Sequence, residues 1–310
     1  MGYKIGSFNC LNMKNASRKD LSKMAEMIQT QEFDIIALQE IQGTASVKAI
    51  LDNLGSHWKG KSDQTSYVKN TSHEYDYAFL WNTRRVDLVK TKLDNGQKRT
   101  YSPRIYKQYK IDKTEQHRKL NHEPYFARFT PRDCGGPSFE IRIINTHIRF
   151  SKYKSEAGED TQGAITTRRN ELTILTKYIY AKEADNRYGD NMPAYTILLG
   201  DYNLNLSASK IYGTKGAFLE KLEEVIVEDN TDSNKTKKII TVQSELTTLK
   251  KDTPADGECA FASNYDHFSY DQNRFQTIPT PTTQRINTLA DYYNGNVAEH
   301  KKGLSDHQCH

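Results

Sequence analysis

The sequence predicts an α/β fold in which helices accompany a mixed or mostly antiparallel, layered β-sheet. Short apolar runs are typical of buried strands, and segments with one apolar face are typical of surface helices. The two kinds of segment alternate at first, and strands then cluster towards the C-terminal half. At 310 residues, the chain is long enough for one large domain or two ordinary ones.

The predicted strands share an apolar or alternating pattern, and several end in polar side chains. They cover residues 3–9, 33–39, 77–81, 125–129, 139–148, 195–199 and 266–270. Residues 33–39 are almost continuously apolar, as expected for a strand buried on both faces. In residues 139–148, Ile141 and Ile143 alternate with other residues before a polar end.

Helices are predicted at residues 17–31, 47–54, 167–181 and about 218–225. The first has Leu21, Met24, Ala25 and Ile28 at the spacing of one helical face, and Ser17 followed by Asp20 resembles a capping box. Residues 228–262 are charged and weakly patterned, so we predict a polar excursion there.

The charge is positive overall and unevenly distributed, with a net charge of +5 and a pI of about 8.8. Residues 84–119 contain twelve Lys or Arg and four Asp or Glu, which gives a local net charge of +8. We expect a basic surface excursion at about residues 84–121. It is either a track for a phosphate backbone or a solvated flap. Tyr101, Tyr106 and Tyr109 either stack on bases or pack the loop itself.

Several protein classes are disfavoured by composition. The four cysteines show no zinc spacing and are too few for a disulfide scaffold, so we expect reduced thiols. No apolar run approaches the ~20 residues that span a bilayer. The first residues have no apolar segment typical of a signal peptide, so a cytoplasmic location is expected unless a signal was trimmed.

Polar residues close the predicted strands where a buried strand should carry none. In Gly200-Asp201-Tyr202-Asn203, which follows an apolar run, side-chain alternation predicts that Asp201 and Asn203 point the same way. Gly200 allows another backbone or a ligand to approach closely. The other polar ends are Asn9, Gln39-Glu40, His147, Asp266 and Asp306-His307.

In this order, these residues resemble the endonuclease/exonuclease/phosphatase family, whose best-known member is pancreatic-type deoxyribonuclease. The resemblance covers about residues 3–307 and implies a single domain over residues 1–310. The implied fold is a two-layer β-sandwich flanked by helices, with four α/β/β/α layers. The implied site lies at one end of the sheets.

Phosphodiester cleavage needs charge neutralisation, an activated water and a stabilised leaving oxygen. Mg²⁺ prefers oxygen ligands, so we expect it at Glu40 and Asn9, with Asp306 added by resemblance; Mn²⁺ or Ca²⁺ substitutes or assists. Asp201 is expected to activate water and Asn203 to hold a phosphate oxygen. His147 and His307 are expected to act in acid–base chemistry. By resemblance, Asp266 orients His307.

Three positions depart from the family pattern. His122 stands in His122-Glu123-Pro124, where nuclease members commonly have an arginine that contacts phosphate. Either His122 does that job more weakly, or the role has moved to Arg128 or Arg149. Where a glutamate usually pairs with the first histidine, this chain has Tyr75, flanked by Glu74 and Asp76 as candidate partners of His147. The strand that usually follows Ser-Asp-His is missing or very short.

The function expected from this reading is Mg²⁺-dependent phosphodiester hydrolysis by a DNase I-like endonuclease acting on DNA. Related folds also act on inositol phosphates, sphingomyelin or RNA, and fold alone does not decide between them. A second alternative is a catalytically silent module that binds nucleic acid. Because every expected site residue is present, the enzyme is favoured over this module. The oligomeric state stays open.

Overall fold

A computed structural model describes most of the chain, with gaps between the described segments. The described residues are 2–13, 19–64, 76–92, 96–107, 120–132, 138–150, 162–188, 192–206, 224–228, 236–242, 245–250, 260–276 and 281–309. Of these, the side chains of residues 64, 76, 91, 92 and 162–166 are not described.

The smaller sheet has four strands in the order β1-β2-β4-β3. They are β1 (Ile5–Met13), β2 (Ile35–Ile41), β3 (Trp58–Gln64) and β4 (Asp76–Asn82). Strands β1 and β2 run parallel, and the other neighbours run antiparallel. The continuous apolar run of β2 is explained by its burial on both faces, since Ile35 and Ala37 face one core and Ile36 and Leu38 face another.

The larger sheet follows the order β12-β13-β16-β11-β10-β9-β5, with β8 paired to β9. Its strands are β5 (Val86–Leu88), β8 (Arg104–Ile105), β9 (Tyr125–Pro131), β10 (Glu140–His147), β11 (Ala194–Asp201), β12 (Glu224–Val227), β13 (Lys237–Val242) and β16 (Asp266–Asp271). Only β10 and β11 pair in parallel among these neighbours. The sheet is therefore mixed and mostly antiparallel, as predicted.

Two small ribbons and the helices complete the fold. The ribbons pair β6 (Lys90–Lys92) with β7 (Lys98–Thr100) and β14 (Thr248–Leu249) with β15 (Phe261–Ser263). The helices are α1 (Leu21–Thr30), α2 (Gly43–Leu54), α3 (Gln162–Thr173), a π-helical stretch (Ile174–Tyr180), α4 (Ala181–Asp185), α5 (Gln272–Phe275), α6 (Thr288–Tyr293) and α7 (Val297–Gly303). No helix in the described part of the chain is long and apolar enough to cross a membrane.

Three apolar cores lie between four layers. One core joins the smaller sheet to α1, α2, α6 and α7. A second fills the space between the two sheets and includes Phe79, Tyr125 and Phe129. The third joins the outer face of the larger sheet to α3, the π-helical stretch and α4. This is the α/β/β/α sandwich that the resemblance implied.

Several predicted boundaries differ from the structure. Helix α1 begins after Asp20, whose side chain accepts from Lys23 N, and Ser17 lies outside the described residues. Of the helix predicted near residues 218–225, the described part is the start of strand β12. Part of the expected polar excursion at 228–262 is strand β13, which lies between β12 and β16. Helices α6 and α7 were not predicted.

Part of the basic segment at 84–121 also belongs to the larger sheet. Strands β5 and β8 both pair with β9, so the segment is not wholly an excursion. Residues 108–119 lie outside the described part of the chain. At the C-terminus, no strand follows His307 among the described residues. There is an isolated bridge between Ile286 and Cys309, and β1 remains at the edge of its sheet. Cys10 and Cys309 are buried, and the other two cysteines lie outside the described segments.

Gly200 lies where two backbones approach closely. Its φ is 133°, and a Cβ atom at this position would be 1.9 Å from the Thr146 carbonyl oxygen of the neighbouring strand. Only glycine avoids both the strained conformation and the clash. The close approach expected at Gly200 is therefore that of β10.

We predict that Gly200→Ala lowers the free energy of unfolding by at least about 3 kcal/mol, because steric overlap adds to backbone strain. Urea unfolding measures this loss. Gly96→Ala is the matched control, since Gly96 also has a positive φ of 80°, but no heavy atom of the described residues would lie within 4 Å of its Cβ. Its cost should be near 1 kcal/mol. Equal losses in both variants would contradict the assigned backbone contact.

Candidate active site

Three neighbouring strands of the larger sheet bring one candidate residue each to the same level. In the strand register His147 of β10 is the partner of Asp201 of β11, and Asp201 is the partner of Asp266 of β16. All three side chains are buried. The register therefore places side by side three residues that are far apart in the sequence.

Glu40 projects from a distorted part of the smaller sheet. The register breaks here, so that three residues of β1 oppose the single residue Glu40 of β2. Leu11, Asn12 and Glu40 have positive φ angles of 47°, 53° and 56°. The distortion directs Asn12 N–H onto Glu40 Oε2 at 2.8 Å. Such strained backbone is typical of functional sites, and here it fixes a carboxylate.

The side chain of Asn9 joins the two sheets. Its Nδ2 donates to Glu40 Oε1 at 3.1 Å and to Asp201 Oδ2 at 3.0 Å. Its Oδ1 accepts from Leu11 N–H at 2.9 Å, which fixes the orientation of the amide. In this arrangement Asn9 contacts Glu40 and Asp201 through its amide nitrogen, as a donor, while its amide oxygen faces Leu11 N–H.

Asp201 and Asn203 are brought together by a turn. Strand β11 ends at Asp201, and Asn203 has a left-handed φ of 49°. Asn203 N–H donates to Asp201 Oδ1 at 2.8 Å, as in an Asx-turn. The predicted strand alternation is therefore not what juxtaposes them. Asn203 Nδ2 donates to Ile148 O at 2.8 Å, and its amide group carries a second hydrogen.

His307 is held by Asp266 in the orientation that the resemblance implied. Its Nδ1 lies 2.8 Å from Asp266 Oδ2, which also accepts from Thr247 Oγ1 at 2.7 Å. The opposite ring nitrogen, Nε2, lies 3.7 Å from both Asp201 Oδ2 and Asp306 Oδ1. This side of the ring therefore faces the centre of the site.

Buried hydrogen bonds anchor the segment that carries Asp306 and His307. Ser305 Oγ donates to Asn9 O at 2.6 Å and accepts from His307 N–H at 3.1 Å. His300 of α7 is fully buried, and its Nδ1 contacts Ser305 O at 2.6 Å. Because a carbonyl oxygen only accepts, this nitrogen must carry a hydrogen. The short helices α6 and α7 thus support the site from outside.

His147 faces two carboxylates from opposite sheets. Its Nε2 lies 3.7 Å from Glu40 Oε1 and from Asp201 Oδ2. Of its two predicted partners, Glu74 lies outside the described residues, and Asp76 belongs to β4 but its side chain is not described. The carboxylates within 4 Å among the described side chains come instead from the site itself.

Burial and neighbouring charges place the two histidines in different protonation states. Burial lowers the pKa of His147 to about 3, and the nearby positive His307 acts in the same direction. Burial also opposes charge on His307, but Asp266 and Asp201 outweigh it and raise the pKa of His307 well above its usual range. At neutral pH His147 is therefore neutral and His307 is protonated.

Asp201 retains a proton more readily than an ordinary aspartate. Burial raises the pKa of Asp201 to about 8, opposed by His307 and reinforced by Asp266. A residue whose pKa lies near neutrality can accept a proton and release it again. Titratable groups whose pKa values are driven apart are typical of acid–base sites.

Comparison with known proteins identifies the family of this chain. Residues 6–285 match the model of the Endonuclease/Exonuclease/phosphatase family. The chain belongs to this family. A comparison with curated proteins finds no match.

Solved structures of the family share the fold at low sequence identity. A family protein from Bacteroides thetaiotaomicron has 15% identity, a TM-score of 0.51, and coverage of 99% of this chain and 95% of its own. TDP2 from D. rerio, solved with a single-strand DNA product, has 13% identity and a TM-score of 0.50, with coverage of 99% and 96%. A family protein from Leptotrichia buccalis has 13% identity and a TM-score of 0.50, with coverage of 99% and 97%.

Endonuclease/exonuclease/phosphatase enzymes generally depend on a divalent metal, and Asp306 fits that requirement. Its Oδ1 is a buried carboxylate oxygen that accepts no hydrogen bond from the described residues. The Glu40 carboxylate is 14% exposed and the Asp306 side chain 37% exposed, so an ion could reach both. Hard oxygen donors of this kind suit Mg²⁺, Mn²⁺ or Ca²⁺.

Asp201, Asp266 and His307 form a second group in which three ligand atoms lie within 4.8 Å of one another. Here, however, Asp266 Oδ2 is already engaged by Thr247 Oγ1 and by His307 Nδ1. An ion bound at Asp266 Oδ2 would compete with these two hydrogen bonds. Glu40 and Asp306, in contrast, offer oxygen donors alone, which hard divalent cations prefer to a group that includes a histidine nitrogen.

The two predicted substrate-binding residues lie in different environments. His122 is 2% exposed, and its Nδ1 contacts His147 O at 3.1 Å. Burial lowers the pKa of His122 to about 3, so it supplies no positive charge at neutral pH. Arg149, in contrast, is exposed just beyond the end of β10. Of the two, Arg149 is the residue able to attract an anionic phosphate.

The tyrosines of the basic segment pack against the protein itself. Tyr106 is buried and donates to Glu183 Oε1 at 2.8 Å. Tyr101 lies beneath the guanidinium of the buried Arg128, which is 4.8 Å from the ring centroid. Tyr106 has no free face for a base, and Tyr101 is half-buried against the protein, which favours the self-packed loop. Tyr109 lies outside the described residues.

Sequence reasoning missed several polar residues that support the site. Gln39 Nε2 donates to Asn145 Oδ1 at 2.8 Å between the sheets, and Thr247 fixes Asp266. Tyr77 OH accepts from His147 N–H at 2.9 Å. Asn145 had a signal, because it is an amide inside the best strand of the chain. Thr247 had none, since it precedes a strand too short to recognise.

Glu171 of α3 is a buried carboxylate that supports the His122 segment. It is 2% exposed, and its Oε1 accepts from Asn121 N–H at 3.2 Å and from Asn121 Nδ2. Burial raises the pKa of Glu171 from 4.5 to about 7, opposed by the Asn121 hydrogen bonds and by Arg149. The folded state thus binds a proton that the unfolded state releases.

We predict that Glu171→Gln flattens part of the pH dependence of stability. Between pH 4.5 and about 7 the folded wild type holds the extra proton, so its stability falls as pH rises through this window. The variant avoids this loss, at most about 3 kcal/mol, because one pKa unit corresponds to about 1.4 kcal/mol. Urea unfolding at pH 5 and pH 8 measures the difference. Parallel curves for both proteins would contradict the buried carboxyl.

Proposed function

We propose that this protein is a Mg²⁺-dependent phosphodiesterase, a DNase I-like endonuclease that hydrolyses DNA, and that the chain forms one domain. The observation that carries the proposal is the surroundings of Asp201. This carboxylate lies 3.7 Å from the two histidine Nε2 atoms and accepts from Asn9 Nδ2 and Asn203 N–H. Such an arrangement suits water activation beside an anionic phosphorus centre.

In the proposed reaction, the ionised form of Asp201 takes the proton of the attacking water, and the water oxygen forms a bond to phosphorus. The opposite P–O bond breaks, and the 3′-oxygen leaves. His307, which is protonated at neutral pH, supplies positive charge and a proton from Nε2. Asp266 keeps that nitrogen directed towards the reacting group, because it engages Nδ1.

The remaining residues stabilise the charge that develops on phosphorus. Asn203 has an amide hydrogen left to donate to a phosphate oxygen. Glu40 and Asp306 are the residues that would hold the divalent cation, which supplies charge neutralisation at the phosphate when bound. His147, neutral and 3.7 Å from Asp201, accepts or relays a proton on the opposite side.

Exposed cations near the site favour a nucleic acid over a small head group. Arg149 lies beyond β10, and Arg104 and Lys107 are exposed around β8, whose partner β9 begins at the edge of the sheet where β10 ends. Positive charge along an approach to the site attracts a phosphate backbone. The D. rerio TDP2 structure shows that this fold accommodates a DNA strand in that protein.

The packing of buried Tyr106 and half-buried Tyr101 gives the alternative substrates specific support, because it reduces the expected stacking surface for bases. The alternatives are phosphoester hydrolysis of inositol phosphates, sphingomyelin or RNA. A catalytically silent nucleic-acid-binding module is less well supported, because binding alone does not require the hydrogen-bonded Asp266–His307 pair.

The test is nicking of supercoiled plasmid by wild type in Mg²⁺, wild type in EDTA, and Asp201→Asn in Mg²⁺. We expect wild type to nick only with Mg²⁺, and Asp201→Asn to be about 10³-fold slower because the proton acceptor is lost. Asp271→Asn is the matched control. Like Asp201, Asp271 is a buried aspartate. It lies on β16 at the end of the strand opposite to Asp266, and its side chain caps α5.

The controls separate the alternatives. Hydrolysis of bis-p-nitrophenyl phosphate without plasmid nicking would reject DNA and favour RNA, inositol phosphates or sphingomyelin, which are assayed next. Retention of plasmid nicking by Asp201→Asn would reject the assigned proton acceptor. Binding of DNA with no hydrolysis of any phosphoester would favour the silent module.

A further inference from the structure

The backbone N–H and C=O of His147 lie just beyond the end of strand β9, which flanks β10. Strand β9 pairs with β10 from Phe129 to Tyr125, and its last partner is Asn145. The N–H and C=O of His147 point towards the side that β9 has left. Buried backbone groups need partners, so the N–H and C=O of His147 require hydrogen bonds from another source.

Two side chains supply those hydrogen bonds. His147 N–H donates to Tyr77 OH at 2.9 Å, and His147 O lies 3.1 Å from His122 Nδ1. Because a carbonyl oxygen only accepts, His122 Nδ1 carries the hydrogen and donates it. The two side chains thus make the hydrogen bonds that a longer strand β9 would otherwise make with His147.

Both side chains are held firmly from outside. Tyr77 is 1% exposed, belongs to β4, and its ring stacks on Tyr125 with centroids 6.3 Å apart. His122 is 2% exposed, and the preceding Asn121 is fixed to Glu171 of α3 by two hydrogen bonds. The two contacts thus connect His147 to the smaller sheet on one side and to α3 on the other.

We propose that Tyr77 and His122 are positioning residues that set the direction of the His147 imidazole by holding its backbone N–H and C=O. These two hydrogen bonds together are called the clamp. Because the Cα–Cβ bond of His147 projects from this backbone, fixing the backbone sets where the ring lies, with Nε2 at 3.7 Å from Glu40 Oε1 and from Asp201 Oδ2. His122 occupies the position of the family arginine, and it acts on the protein backbone. The inference rests on the proposed role of His147 in catalysis.

Substitutions that remove one hydrogen bond each test the clamp. Tyr77→Phe removes the acceptor and keeps the ring. Tyr125→Phe is its matched control, because the Tyr125 hydroxyl is buried in the same layer and makes no hydrogen bond among the described residues. His122→Leu removes the donor, and His122→Asn restores an N–H close to the position of Nδ1.

The first readout is independent of activity. In Tyr77→Phe the amide hydrogen of His147 should exchange at least about ten times faster, and the ¹⁵N shifts of its ring should change. Tyr125→Phe should leave both unchanged. Unaltered exchange in Tyr77→Phe, or equal acceleration in Tyr125→Phe, would overturn the clamp.

The second readout is turnover of bis-p-nitrophenyl phosphate. Tyr77→Phe and His122→Leu should lower kcat by about ten- to a hundred-fold with KM within about two-fold, since a small misplacement costs this much. His122→Asn should recover most of the rate. Normal kcat in Tyr77→Phe, or no recovery in His122→Asn, would overturn the positioning role. If wild type hydrolyses no phosphoester, the proposed function fails, while amide exchange still decides whether the clamp exists.

Discussion

The amide of Asn9 is the contact on which the arrangement of the site depends, because it joins a carboxylate of each sheet. Its nitrogen donates to Glu40 on the smaller sheet and to Asp201 on the larger sheet, while its oxygen is fixed by Leu11 N–H. The backbone carbonyl of the same residue accepts from Ser305 Oγ, which anchors the C-terminal segment. One residue of β1 therefore sets the separation of three parts of the chain.

The charges of these buried side chains have to be balanced. This requirement explains the protonation states of Asp201 and His307. Asp201 and Asp266 are buried beside each other, which is unfavourable when both are ionised. His307 offsets this by remaining protonated, and burial raises the pKa of Asp201 to about 8. The structure thus holds protonated His307 3.7 Å from Asp201, whose pKa lies near neutrality, and a cation near Asp306 would add to the balance.

The fold was largely predictable, because hydrophobic patterns report burial directly, as in β2 and β10. Helices α6 and α7 were missed since they are short and polar; their only signals were the capping residues Asn287 and Asn296. The site residues were identifiable from strand ends and from resemblance. Geometry that depends on backbone detail was not: the turn at Asn203 and the burial of His122 have no pattern in sequence.

The most direct test of the account is the position of a divalent cation in crystals soaked with Mn²⁺, located by anomalous scattering. The account predicts one peak within coordination distance, about 2.0–2.4 Å, of Asp306 Oδ1 and the Glu40 carboxylate, with the Asp266–His307 hydrogen bond intact. A peak held by Asp201, Asp266 and His307, with that hydrogen bond broken, would contradict it.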